Sequence, residues 1–167
     1  MNSMMKESDD AFNELRKGLF AAFLNKNAGL EILQLFSGIR LDMNKSVDSR
    51  NITYFACIYS SLEKVKLLLE NGADPNLCGS EVTVIYILMY NEKFGVNMLN
   101  LLLDHGADLH FDCTQGQDLL PFHFPIEQNR LDLLRVVLER GKKDTQTSRY
   151  LFTQTSWQSK IALLKLP

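Results

Sequence analysis

The side chains that could act as metal ligands or nucleophiles in this sequence are three histidines and three cysteines: His105, His110, His123, Cys57, Cys78 and Cys113. The closest His–Cys pair is His110 and Cys113, and no second pair with metal-ligand spacing accompanies it. Glycine-rich phosphate loops and the HExxH and GxSxG motifs do not occur. The sequence therefore predicts a protein that is not an enzyme and that holds no metal and no cofactor.

Composition narrows the class of protein further. A chain of 167 residues, 46% of them hydrophobic and 23% charged, suits one domain with its own core. A formal net charge of -2 gives no general reason to bind nucleic acid. No stretch approaches the roughly 20 apolar residues that cross a bilayer, so we expect no membrane association.

The cysteines and the first residues of the chain bear on the compartment. The first ten residues lack the apolar centre of a secretory signal, and three cysteines cannot all pair with one another. We therefore expect a reducing compartment, the cytoplasm, with nuclear entry or delivery into a host cell left open. Cys57 is expected to be buried as a small hydrophobe, and Cys78 and Cys113 to be exposed thiols in loops.

A repeat of about 33 residues organises the chain. Residues 62–76 read LEKVKLLLENGADPN and residues 99–110 read LNLLLDHGADLH. Weaker copies lie at residues 30–44, which align on 62–76 without gaps, and at 131–141. A shorter apolar segment precedes each copy. The pattern therefore predicts that each unit has a helix, a tight turn and a second helix, followed by a connecting segment that begins at a glycine.

Local chemistry supports this division into helices and turns. Apolar residues of the second helix recur at Leu62, Val65, Leu68 and Leu69, a spacing that predicts one buried face. The closing glycines of three units, Gly72, Gly106 and Gly141, fall where a helix ends, a position that favours a left-handed residue.

The pattern resembles the ankyrin repeat over about residues 19–144. The Gly-Ala-Asp copies carry the resemblance, together with residues 120–123 (LPFH), a degraded form of the family's Thr-Pro-Leu-His. It implies an all-α fold, a helix-turn-helix solenoid with β-hairpin loops between repeats and helical end caps. The expected division is a single ankyrin-repeat domain over 1–167, with a cap at 1–18, repeats at about 19–50, 51–82, 83–119 and 120–144, and a C-terminal cap at 145–167.

The beginning of the chain predicts a helix that covers the first repeat. Ser8 followed by two aspartates is a good N-cap, so we expect the helix to extend from about residue 9 to residue 27. Phe12, Leu15 and Leu19 would point inward. Such a cap is needed because a terminal repeat would otherwise expose half its core.

In ankyrin proteins the first helices and the hairpin tips form a concave face that binds partners. Alignment places ten residues of this chain there: Arg50, Ile58, Tyr59, Val82, Tyr90, Asn91, Gln117, Leu119, Glu127 and Gln128. Ile58, Tyr59 and Tyr90 are apolar or aromatic where a solvated helix is normally polar. They are either anchors for a partner or side chains that pack against the neighbouring repeat.

Charge is distributed unevenly along the chain. Residues 67–128 contain nine acids and one base, whereas residues 129–167 contain eight bases and three acids. An acidic rim around aromatic anchors would suit a partner with a basic segment, and ordinary surface charge is the alternative. We expect a monomer that binds another protein.

The resemblance implies a non-enzymatic protein interaction module. Short ankyrin chains resemble inhibitors of Rel-type transcription factors and pathogen proteins that redirect host signalling. A second hypothesis is a substrate adaptor for a ubiquitin ligase. Adaptors of that kind carry a C-terminal recruiting box, which would be missing or cryptic here.

Overall fold

In the part of the chain that the computed structural model describes, the regular secondary structure is helical. The structure describes residues 2–25, 27, 30–39, 41–46, 51–78, 84, 85, 88, 95–109, 125, 128 and 130–141, without the side chains of residues 2–9, 32, 33, 36, 37 and 141. Its helices are α1 (Asn2–Leu24), α2 (Leu30–Ser37), α3 (Ile52–Tyr59), α4 (Leu62–Glu70), α5 (Gly95–Asp104) and α6 (Leu131–Gly141). These residues contain no strand, and the predicted all-α class is confirmed.

The helices belong to two compact units, Met1–Val84 and Ile85–Pro167. In the first unit α1 packs against α2 and α3, while α4 packs against α2 and α3. Two helix pairs, α1 with α2 and α3 with α4, therefore lie side by side. In the second unit α5 packs against α6.

Helices α3 and α4 begin where a polar side chain can accept a hydrogen bond from a free backbone N–H. The backbone N–H of Tyr54 donates to Oδ1 of Asn51 over 3.1 Å, so Asn51 is the N-cap of α3. Ser61 has the same role for α4. Only a short turn separates the two helices, and they therefore pack as an antiparallel pair.

The buried faces follow the predicted helical period. Three of the four residues predicted for the buried face of the second helix, Val65, Leu68 and Leu69 of α4, are buried, and Leu62 is half-buried. The core of the second unit contains residues from both of its helices and from the segments beside them: Ile85, Leu99, Leu109, Leu133, Leu134, Val136 and Val137.

Two helices end in the same backbone motif. Gly72 has a φ of 86° and Gly106 a φ of 87°, so the predicted left-handed glycines are confirmed at both positions. The backbone N–H of Ala73 donates to the carbonyl of Leu68, and that of Ala107 to the carbonyl of Leu102. These bonds satisfy carbonyls that a helix end leaves free. Gly141 is the last helical residue of α6.

The first helix differs from its prediction. It begins at Asn2 and ends at Leu24, so Ser8 lies inside the helix and is not its N-cap. Leu19 is buried as predicted, but Phe12 and Leu15 are each more than a third exposed. The reason is length, because α1 has 23 residues and α3 has 8, about 34 Å against 12 Å. The N-terminal part of α1 thus extends beyond its neighbour.

Residues of the second helix pair complete the end of α1. The Ser60 hydroxyl donates to the carbonyl of Phe23, and Nζ of Lys64 donates to the carbonyl of Asn25 over 2.7 Å. Ser60 and Lys64 are both buried. Two carbonyls, one in the last turn of α1 and one just after it, are therefore satisfied by the next pair.

Asn44 connects the turns that follow the two second helices. Its Nδ2 donates to the carbonyl of Gly72 over 3.1 Å, and its Oδ1 accepts from the backbone N–H of Asp74 over 2.7 Å. One amide side chain thus pairs with a donor and an acceptor of the next turn.

The described helices have between 8 and 23 residues. None of them combines the length and the apolar character that crossing a membrane requires.

Candidate partner-binding site

Tyr59 is the last residue of α3, and its side chain is 50% exposed. Its ring stacks on Phe55, with the ring centroids 6.1 Å apart and the planes 18° from parallel. Phe55 in turn contacts Phe20 and Tyr54, at centroid distances of 5.4 and 5.3 Å. We call these four residues the aromatic cluster. It extends from the core to the surface, and Tyr59 is its exposed end.

This geometry bears on both interpretations of Tyr59. Its ring does pack, but on Phe55 of its own helix, one turn earlier. Half of its surface stays accessible. Contact with the rest of the fold holds the side chain in place without covering it, so the ring is both positioned and free to contact another molecule.

The other predicted site residues are placed only in part. Ile58 is half-buried next to Tyr59, and Gln128 is exposed in a turn. The remaining seven lie outside the described residues: Arg50, Val82, Tyr90, Asn91, Gln117, Leu119 and Glu127. Alignment of the repeats places Tyr59 at the same position as Asn27 and Gln128, which are also exposed. Among these equivalent residues, an aromatic ring on the surface distinguishes the second repeat.

An ionised carboxylate lies close to Tyr59 in sequence. Glu63 is in the first turn of α4 and is fully exposed. Its backbone N–H and the Ser61 hydroxyl hydrogen-bond to the carboxylate and lower its pKa. Glu63 is therefore negatively charged at neutral pH, beside the start of a helix where an anion is favoured.

Two acids of the predicted acidic segment have basic partners. Glu70 lies 3.7 Å from Nζ of Lys66, and Asp104 lies 2.5 Å from the Arg140 guanidinium. Both bases fall outside residues 67–128, so the local negative charge is smaller than the composition of that range suggests. These pairs are exposed and add little to stability.

The family model of the ankyrin repeat matches residues 50–80, the segment that contains α3, α4 and the turn after Gly72. This is also the segment that carries the exposed aromatic ring and the left-handed glycine. The chain is an ankyrin repeat protein. The resemblance noted from the sequence is thus confirmed, and ankyrin repeats are generally non-enzymatic modules for protein–protein interaction.

Several curated proteins are similar to parts of this ankyrin repeat protein. The human transient receptor potential cation channel subfamily V member 5 is 41% identical over 44% of this chain and 11% of its own length. Human ankyrin repeat and SOCS box protein 14 is 36% identical over 59% of this chain and 16% of its own. The putative ankyrin repeat protein L371 of Acanthamoeba polyphaga mimivirus is 27% identical over 51% and 11%. The matches thus span about a tenth to a sixth of these relatives.

The candidate reactive groups of the ankyrin repeat protein are less available than its sequence suggests. Cys57 is fully buried, as predicted, and burial raises the pKa of its thiol well above the ordinary value. Cys78 is disulfide-bonded, so the prediction of a free thiol there is wrong. Sequence spacing alone does not show which sulfurs approach each other. Disulfides are typical of oxidising compartments, so this bond does not favour the reducing compartment expected above.

The remaining candidate metal ligands are the three histidines and Cys113. His105 is half-buried in the turn after α5, and His110, Cys113 and His123 lie outside the described residues. Within the part of the chain that the structure describes, no three His, Cys, Asp or Glu residues are grouped so that they could hold a metal ion.

Proposed function

We propose that this ankyrin repeat protein is a non-enzymatic module that binds a partner protein through the surface around Tyr59. The observation that carries the proposal is the half-exposed ring of Tyr59, stacked on Phe55. Family membership supports the class of function, and the aromatic cluster supports the choice of this surface. The proposed binding surface also includes the other residues predicted for the concave face and the hairpin tips.

The physical basis is the small cost of fixing this side chain in a complex. A partner that orders a flexible side chain loses part of its binding energy to conformational entropy. The Tyr59 ring already rests on Phe55, and Phe55 contacts Phe20 of α1. Such an anchored, amphipathic ring is typical of binding hot spots, each worth about 2 kcal/mol or more.

The chemistry of the surface favours a partner segment with lysine or arginine. The exposed face of a tyrosine ring attracts a cation, and the Glu63 carboxylate adds a negative charge four residues later. An inhibitor of a Rel-type transcription factor, or of another host signalling protein, is a narrower form of this proposal. The likeness to a mimivirus ankyrin protein supports a form of this proposal in which the chain is a pathogen protein.

We expect Tyr59→Ala to weaken binding of a partner by at least about 30-fold, because it removes the anchored ring. The partner is first identified by affinity purification and mass spectrometry, and its affinity is then measured by titration. Since Tyr59 is half exposed, the thermal midpoint should shift by less than about 2 °C.

The matched control is Tyr59→Phe, which keeps the ring and its stacking on Phe55 and should retain most of the affinity. Unchanged affinity in Tyr59→Ala would contradict the proposal. So would a large loss of stability in that variant, because it would assign Tyr59 to the core. Failure of the wild type to capture any Rel-family dimer would remove only the Rel version.

A second candidate function is a substrate adaptor for a ubiquitin ligase. The likeness to ankyrin repeat and SOCS box protein 14 favours it, although the match covers 16% of that protein. If the chain has this function, ubiquitin ligase subunits should copurify equally with the wild type and with Tyr59→Ala, since recruitment would use another surface. Their absence from both purifications would contradict it.

A further inference from the structure

Among the described residues, Arg16 of α1 is a buried arginine without an acidic partner. It is 7% exposed and shares the buried face of α1 with Leu19, Phe20 and Phe23. Its Nη2 donates to Oδ1 of Asn13 over 2.8 Å, whereas its Nε is enclosed and has no hydrogen-bond partner within the described part of the chain. Burying a charge costs free energy that one neutral amide does not offset. Arg16 thus lacks the counter-charge that buried arginines normally have.

A second unpaired polar group, the Thr53 hydroxyl, lies opposite Arg16 on α3. The Ser60 hydroxyl donates to the carbonyl of Phe23, and a ring contact of the aromatic cluster joins the same two helices about one turn earlier, so α1 and α3 run in the same direction. Arg16 lies two helical turns before Phe23, and Thr53 lies two turns before Ser60. Thr53 is fully buried, and its Oγ1 has no hydrogen-bond partner among the described residues. No other described residue has a buried side-chain nitrogen or oxygen without a partner.

The beginning of α3 adds to the positive character of this place. Thr53 is in the first turn of α3, and the start of a helix carries a partial positive charge that favours an anion. Helix α3 contains no charged residue. Glu14, the acid nearest to Arg16 along α1, pairs with Lys17 over 2.8 Å. A cation, a hydroxyl and a helix start thus come together without a described side chain that supplies the negative charge.

We propose that Arg16 and Thr53 bind a small free oxyanion, phosphate or sulfate, between α1 and the beginning of α3. A guanidinium donates parallel N–H bonds to two oxygens of such an ion, and a hydroxyl donates to a third. A tetrahedral oxyanion accepts hydrogen bonds from several directions, as this arrangement requires. Because Arg16 is 7% exposed, the opening is small and favours a free ion over a phosphate carried on a larger molecule. The site does not use Tyr59 and is independent of the proposed function.

The experiment adds inorganic phosphate to the full chain, with chloride keeping the ionic strength constant. We expect saturable broadening of the phosphate resonance in phosphorus NMR, and a thermal midpoint that rises by about 3 °C or more at about 20 mM phosphate. Arg16→Met keeps a long side chain and removes the charge, so phosphate should produce neither effect. Without phosphate this variant should be at least as stable as the wild type, because a hydrophobic side chain then replaces an unpaired buried charge.

The matched control is Lys17→Met, at the exposed base next to Arg16, which should respond to phosphate like the wild type. Thr53→Val keeps the shape of the side chain, removes the hydroxyl and should weaken phosphate binding by roughly 3- to 10-fold. A wild type that shows no response would overturn the proposal. An equal rise of the midpoint in Arg16→Met would overturn it as well, because phosphate would then act only by exclusion from the protein surface. If Arg16→Met does not fold, equal phosphate affinity in Thr53→Val and Lys17→Met would overturn it.

Discussion

Replacing Leu68 by alanine is expected to destabilise the first unit by about 2–5 kcal/mol. The Leu68 side chain is 1% exposed and belongs to the buried face of α4. Removing three of its carbons loses apolar burial and leaves a cavity between helices that cannot close up fully. The effect should appear as a lower denaturant midpoint, followed by circular dichroism in urea.

Leu35→Ala is the matched control, since it makes the same chemical change on an exposed side chain of α2. It should change stability by less than about 0.5 kcal/mol. A loss in Leu35→Ala as large as that in Leu68→Ala would show that burial in the structure does not describe the packing of α2.

The second large effect is expected at Gly72, where alanine should cost about 1–2 kcal/mol. Its φ of 86° lies in the left-handed region, which a Cβ atom disfavours. A Cβ added there would meet no atom within 4 Å, so the cost is that of the backbone conformation and not of a steric clash. Urea unfolding of the variant measures it.

Gly18→Ala should have the opposite sign. Gly18 lies within α1, where a Cβ would again meet nothing within 4 Å, and it has no positive φ. Alanine there should stabilise the helix by about 0.5–1 kcal/mol, because it restricts the unfolded chain and favours the helix. If both substitutions destabilised equally, the backbone explanation for Gly72 would be wrong.

Features set by local chemistry could be predicted from the sequence. The left-handed glycines at 72 and 106, the buried face of α4 and the burial of Cys57 each depend on neighbouring residues and on helical period. The resemblance to the ankyrin repeat was likewise drawn from the repeated sequence pattern. These predictions needed no knowledge of which segments meet in space.

Features that depend on distant contacts were missed. The start of α1 could not be located, because Ser8 is a good cap in isolation but the helix continues through it to Asn2. The exposure of Phe12 and Leu15 depends on how far α3 extends alongside α1. The basic partners of Glu70 and Asp104 lie outside residues 67–128, the range in which the sequence indicated an acidic surface. All ten predicted site residues remain predictions as partner contacts, and seven of them lie outside the described residues.

The hydrogen bonds from Ser60 and Lys64 to the end of α1 have a consequence for folding. The carbonyls of Phe23 and Asn25 at this end accept hydrogen bonds from side chains of the next helix pair. The first repeat is a poor match to its own family pattern, and the second repeat supplies both its cap and one side of its core. Folding should therefore propagate backwards along the chain, from the second repeat to the first, as in a one-dimensional array with strong coupling between neighbours.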